Sequence, residues 1–300
     1  METEGLTHNV ELPCYRDLNT TVKVTDKGIE PTIETVAVET PIILHYDNRF
    51  TATAAATPHD LRDFAYGFSF TSGIISSYDQ VKSLDMAVEG NTIHIYIQRY
   101  DDNDAASTSA GAAPDSPGAS SPAAAAAVPD ALGASSSAAT LGAPSANAAT
   151  VPNAPHTSAV VPPRQLSPQA IWTISESLLT MQTMHRVTGA THAAVFTDYQ
   201  GQPLYLREDV GRHNAVDKLI GALLKDNVDP NQGFVFLSSR CALDLVMKCA
   251  RYGITLVATV SAPTSAVIDF ALQEGITLCA YARKKRFTIY TNPQRILLEQ

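Results

Sequence analysis

Between residues 234 and 282 the chain alternates strand, helix, strand, helix, strand: FVFL (234–237), an amphipathic stretch at 241–252, ITLVATV (254–260), a second at 265–274, and ITLCAYA (276–282). Short Val/Ile/Leu runs separated by amphipathic helices are accommodated by right-handed βαβ units on a parallel sheet, because such strands need both faces covered. The pattern predicts an α/β fold and also a place for chemistry. In open α/β sheets, ligands bind beyond the carboxyl ends of the strands. The terminal run RFTIYTN is expected to add an edge strand.

The rest of the chain divides around a composition break. From about 101 to 163 it becomes Ala, Ser and Pro with acids at the start, and no Lys or Arg lies between Arg99 and Arg164. Such a segment cannot bury enough apolar surface to offset its ordering entropy, so 101–165 is expected to be a disordered insertion. Residues 1–19 read as a flexible tail, 20–100 as a smaller β-rich block and 166–300 as the α/β block. In the first block, IETVAVET, IILHY and FTATAA are strand-like, with a hairpin turn at Asp47-Asn48. A helix follows, with Thr57 as cap and Leu61, Phe64, Ala65 and Phe68 on its apolar face, ending at Gly73. DMAVEGNTIHIYIQ reads as a second hairpin turning at Gly90-Asn91. The second block opens with a helix capped by Ser167-Pro168 and stopping near Gly189. HAAVFT and PLYLRE then form a hairpin, and a helix carries Val216, Leu219, Ile220, Leu223 and Leu224.

A formal charge of −9 excludes general nucleic-acid binding, which needs a basic face to displace counterions. No apolar run reaches the roughly 20 residues of a membrane span. The start, METEGLTHNVELPC, is acidic and lacks the pattern of a secretory signal. Cys14, Cys241, Cys249 and Cys279 show no CxxC spacing, so a reducing cytoplasm is expected.

Polar loops fall where the topology places ligands. Three follow the parallel strands: SSRC (238–241), SAPTS (261–265) and YARKKR (281–286). Ser238 or Ser239, and Ser261 or Thr264, can cap the next helix while the free N–H groups of its first turn face outward. With Arg240, Arg283, Lys284, Lys285 and Arg286 they would form a local cationic rim on an acidic protein, the pattern for an anionic ligand such as a phosphate ester. The stretch LREDVGRHNAVDK (206–218) precedes another helix. There Gly211 permits a tight turn, and Arg212, His213 and Asn214 can aim donors at the same rim, beside Asp209. A capping serine, a solvated basic run and an internal ion-pair network are the plainer readings of these features. Their coincidence on one rim favours a ligand site.

These residues resemble the FdhD family of formate dehydrogenase accessory proteins. The likeness runs through VAVETPIILHYDNRF, TPHDLRDFAYGFSFTSGII, TGATHAAVFT, REDVGRHNAVDKLIGALL and the segment from SSRCALDL to TNPQRI, and EDVGRHNAVDKL with SAPT downstream carries most of its specificity. The resemblance implies a sulfurtransferase that takes persulfide sulfur from a cysteine desulfurase. It would pass that sulfur to the molybdenum of a bis(molybdopterin guanine dinucleotide) cofactor needed by formate dehydrogenase. It implies that the cofactor is bound, with Tyr281, Ala282, Arg283, Lys284, Lys285 and Arg286 matching the cofactor-binding stretch. It also implies a cytidine-deaminase-like fold for the second block and a homodimer. The deaminase zinc motifs H-x-E and P-C-x-x-C do not occur. His192, in a strand without a partner at ligand spacing, reads as a structural or site-lining residue.

One departure bears on chemistry. The family's sulfur carrier is a cysteine of a CxxC motif between the two blocks, and this chain has no cysteine between Cys14 and Cys241. The chain keeps cofactor binding as a chaperone without sulfur transfer, or another cysteine substitutes, or the activity belongs to the family name alone. As a substitute, Cys241 beside Arg240 near a helix start is the candidate, although a small buried residue is the plainer reading.

Overall fold

The computed structural model describes residues 10, 12–100 and 165–298, which form one compact unit; the expected insertion lies outside the described residues. The alternation over 234–282 folds as the periodicity demands. β9 (Gly233–Leu237), β10 (Leu256–Thr259) and β11 (Thr277–Arg283) are parallel neighbours, joined by α5 (Leu243–Tyr252) and α6 (Ser265–Gln273). β12 (Arg286–Thr291) closes one edge antiparallel to β11, as RFTIYTN predicts. On the other side β7 (His192–Asp198) pairs antiparallel with β9 and with the edge strand β8 (Pro203–Asp209), giving a six-stranded mixed sheet of order β12-β11-β10-β9-β7-β8. No described helix is long and apolar enough to cross a membrane.

The N-terminal block forms a four-stranded mixed sheet of order β4-β3-β6-β5, from β3 (Thr40–Tyr46), β4 (Phe50–Ala56), β5 (Val81–Glu89) and β6 (Thr92–Arg99). The turn at Asp47 and Asn48 has both residues at positive φ, 50° and 55°, as a tight hairpin requires. Helix α1 (Leu61–Thr71) joins this block to α4 (Arg212–Lys225) of the other. Two glycines set their closeness. A Cβ on Gly67 would lie 1.7 Å from the Asp217 carbonyl oxygen, and one on Gly221 would lie 1.8 Å from that of Asp63. Any side chain at either position would wedge the helices apart. Ile42, Leu44, Phe64, Leu219 and Leu223 therefore share one core across both blocks.

Three local departures from the sequence reading have long-range causes. Helix α1 starts at Leu61 with Asp60 as its N-cap in the left-handed region, φ 52°, because Thr57 is spent elsewhere: its N–H, hydroxyl and carbonyl all bond residues 209–218. The helix expected to run from Ser167 to Gly189 breaks into α2 (Pro168–Met181) and α3 (Thr183–Thr188). Glu208 causes the break. Its carboxylate accepts from the backbone N–H groups of Met184 (2.9 Å) and His185 (3.0 Å), starting a new helix there. Finally, β1 (Tyr15–Thr25) and β2 (Gly28–Ala37) form a separate two-stranded ribbon, so ordered strand begins inside the stretch read as tail.

Candidate functional site

The polar loops of the sequence lie on one edge of the six-stranded sheet, where β9, β10 and β11 end, β7 begins and β8 ends. Hydrogen bonds stitch them together. Ala193 N–H donates to the Ser238 hydroxyl (2.7 Å), Thr259 donates to Ser239 C=O (2.7 Å), Tyr281 N–H to Ser261 C=O (3.3 Å), and the Arg283 guanidinium to Val260 C=O (2.7 Å). Ser238 and Ser239 cap nothing: the first is held by the sheet, and the second is buried with its hydroxyl donating to Arg240 C=O. Helix α5 starts from Ala242, since Cys241 is held in a bridge with Pro263. Thr264 does sit at the N-cap of α6, exposed, with no capping bond from its side chain, and Ser261 is half-buried.

Most of the polar residues at 208–218 hold the fold together. Asp209 and Lys218 are fully buried and paired at 2.7 Å. Asp209 also accepts from Thr57 N–H (3.0 Å), Gly211 N–H (2.8 Å) and the Asn214 amide (3.0 Å), while Lys218 donates to Thr57 C=O (3.0 Å) and Glu208 C=O (3.3 Å). Asn214 spends its other donor on Ala55 C=O at 2.7 Å. A Cβ at Gly211 would lie 2.7 Å from the Asn214 amide nitrogen, so a side chain there would push that amide from its acceptors on Ala55 and Asp209. His213 pairs with Asp244 across α4 and α5, and its hydrogen bond holds the Asp244 carboxyl below its usual range. Asp217, buried between Lys248 (2.5 Å) and Thr71 (2.6 Å), has its carboxyl pushed up by burial. Asp209, His213 and Asn214, expected to face a ligand, are thus committed internally. Arg212 is not: its Nε is buried without a hydrogen-bond partner.

The stretch 281–286 is a hairpin between β11 and β12, where the sequence reading had a loop leading away from a strand end. Lys284 and Lys285 form its turn with φ 51° and 56°, and the register slips between Ala280 and Arg283. Tyr281 sits in that bulge at φ 54°, a conformation unusual for an aromatic residue and one that re-aims the side chain. It is exposed and, with Arg286, Phe287 and Thr288, lines a hollow of about 200 Å³. Ala282 is fully buried, and its carbonyl accepts from Ser175 (2.8 Å). Among the described residues no carboxylate pairs with Arg283, Lys284, Lys285 or Arg286. The hairpin is therefore an uncompensated cationic tip on an acidic chain.

The thiols separate by burial. Cys241, the substitute nucleophile expected from sequence, is 2% exposed, and burial pushes its thiol up to about 12. Cys249 and Cys279 are likewise buried and pushed up to about 12. Cys14 alone among the four is partly accessible. It lines a hollow of about 510 Å³ with His59, Asp60, Met184 and Arg207. Burial raises its thiol and the charge of Lys218 opposes the rise. The sequence places Cys14 in the stretch expected to be a flexible tail; Val38 N–H donating to its carbonyl (2.8 Å) holds it at the base of the ribbon.

Comparison with known proteins follows the same segments. Residues 37–297 match the model of the FdhD/NarQ family. A sulfur carrier protein FdhD of Bordetella petrii is 34% identical over 263 residues, spanning 88% of this chain and 87% of that one. The sulfur carrier protein FdhD of Xanthomonas euvesicatoria pv. vesicatoria is also 34% identical over 263 residues, spanning 87% and 85%. A crystal structure assigned as a formate dehydrogenase accessory protein from Desulfotalea psychrophila superposes with a TM-score of 0.67 at 23% identity, over 95% of this chain and 100% of that one, a likeness of fold.

Proposed function

The chain belongs to the FdhD/NarQ family, and from that membership we propose that it serves formate dehydrogenase maturation by binding a bis(molybdopterin guanine dinucleotide) cofactor along the sheet edge. The supporting observation is the hairpin tip. Four cationic side chains without carboxylate partners adjoin an exposed tyrosine held at positive φ. Guanidinium and ammonium groups suit pyrophosphate oxygens, and a ring beside them suits a guanine face. Arg283, Lys284, Lys285 and Arg286 would hold phosphate, and Tyr281 would stack. The cofactor supplies the metal chemistry of the client enzyme; this chain's residues bind and orient it. The test is calorimetry with guanosine diphosphate. Replacing all four cations by alanine is expected to weaken binding while the chain still folds, with only the small loss of stability that the Arg283 bond to Val260 C=O accounts for, and equal affinity would refute the assignment.

A second reading, sulfur transfer, is favoured by the accessibility of Cys14. Its thiolate would attack the outer sulfur of a desulfurase persulfide, forming a Cys14 persulfide and releasing the donor's thiolate. Cys241 is too deeply buried for that role.

A further inference from the structure

The outer face of the four-stranded sheet carries chemistry that neither cofactor binding nor sulfur transfer uses. Ile42, Leu44, Ile93, Ile95 and Ile97 turn into the core, so the alternate residues His45, His94 and Tyr96 turn outward, where they are half-buried. Strands β3 and β6 are parallel neighbours, with Ile43 opposite His94 and His45 opposite Tyr96. This register sets the two histidines diagonally across one strand gap. On the other flank of β6, Asp85 of β5 lies opposite Tyr96, which brings an acidic residue to the same face.

The two rings meet nitrogen to nitrogen. His45 Nε2 and His94 Nδ1 are 2.9 Å apart, and the ring centroids are 5.2 Å apart with planes 18° from parallel. A nitrogen contact that short between near-parallel rings is edge to edge. Tyr96 stacks on His45, with centroids at 4.6 Å and planes 13° apart, and so buttresses that ring. On its far side His94 turns Nε2 toward the Glu89 carboxylate, 3.7 Å away on β5. A carboxylate there favours the proton on Nε2 and leaves Nδ1 with its lone pair toward His45, the arrangement of a metal-binding histidine whose second nitrogen addresses a carboxylate. Burial first, and then His94, hold His45 below its usual pKa, which keeps it in the neutral form that ligates metal.

We propose that His45 and His94 form a binding site for a divalent transition-metal ion that favours imidazole and tetragonal geometry, Cu2+ or Ni2+. The spacing carries the choice. Two imidazoles at right angles around an ion, each bonded at about 2.0–2.1 Å, stand about 2.8–3.0 Å apart, and the facing nitrogens already stand 2.9 Å apart. The ion takes the place of the proton shared between the rings. His45 carries its proton on Nδ1 instead, and both rings rotate to aim their lone pairs, so no charge has to be removed from either. Among the described residues no third His, Cys, Asp or Glu completes a closed ligand set. The site is therefore open, with water in the remaining positions. It stands apart from the cofactor reading, and its failure would leave that reading intact.

The experiment titrates the full-length chain, free of any affinity tag, with Cu2+ and separately with Ni2+, reading uptake by calorimetry. The double variant His45→Gln with His94→Gln serves as the baseline for every other metal-binding group in the chain. The parent is expected to take up one Cu2+ more than this variant, with two nitrogen donors in its electron paramagnetic resonance spectrum. Glu89→Gln is expected to weaken that ion about tenfold, as loss of a carboxylate behind a ligating histidine does, and loss of either histidine to weaken it further. A measurement on the parent alone guards against variants that fold poorly: substoichiometric Cu2+ should broaden the imidazole NMR signals of His45 and His94 before those of the other histidines. Equal uptake by the parent and the double variant, or broadening that spares both rings, overturns the proposal and leaves the pair a proton-sharing contact.

Discussion

Replacing Lys218 by methionine removes the cation from a buried pair while keeping the length and most of the volume of the side chain. Asp209 would retain three donors, Thr57 N–H, Gly211 N–H and the Asn214 amide, but its charge would lose the ammonium 2.7 Å away. The carbonyls of Thr57 and Glu208 would each lose a donor as well. Removing one partner of such a pair costs about 3–5 kcal/mol, chiefly because the other charge stays buried and uncompensated. For a structured unit of this size that lowers the melting temperature by roughly 6–20 °C, at about 2–4 °C per kcal/mol. The double variant Asp209→Asn with Lys218→Met is expected to recover part of the loss, since no charge is then stranded. Urea denaturation of the parent, both single variants and the double variant measures all of these. A loss below about 1 kcal/mol for Lys218→Met, or a double variant equal to the sum of the singles, would refute the claim that this pair clamps the two blocks.

Two further outcomes follow from burial and charge. Brief alkylation of the folded chain near pH 8 is expected to modify Cys14 and to spare Cys241, Cys249 and Cys279, whose thiols are pushed up to about 12; after incubation with a desulfurase and cysteine, any persulfide found by mass spectrometry should map to Cys14, and one on Cys241 would contradict its burial. His192 should titrate below the usual value of 6.5, so the stability it contributes is present above about pH 6.5 and is lost as pH falls through its lower folded value. NMR should show its midpoint rising in Arg240→Gln, and a midpoint indifferent to that substitution would remove Arg240 from the charges that act on it.

How much of this was legible in the sequence depended on whether the determining interactions were local. The βαβ run, the edge strand at RFTIYTN, the hairpin turn at Asp47-Asn48 and the amphipathic face of α4 are written in residue periodicity and turn chemistry, and all appear in the fold. Features decided by distant residues were not legible. Thr57 reads as a helix cap because its neighbours suit one, yet residues about 150 positions away claim its three polar groups. The same holds for the break at Gln182, which a carboxylate 26 residues downstream imposes.

The candidate site illustrates the difference most sharply. Sequence could gather Asp209, Arg212, His213 and Asn214 as polar groups near a helix start, but it could not say which of them would find partners inside. The fold answers by elimination: a buried acid and a buried lysine neutralise each other, a histidine meets the first turn of the next helix, and an asparagine closes on a strand end. An arginine remains with a buried, unused donor. Density of polar residues in a motif is thus a poor guide to which residue meets a ligand. The residue to test is the one that the fold leaves unsatisfied.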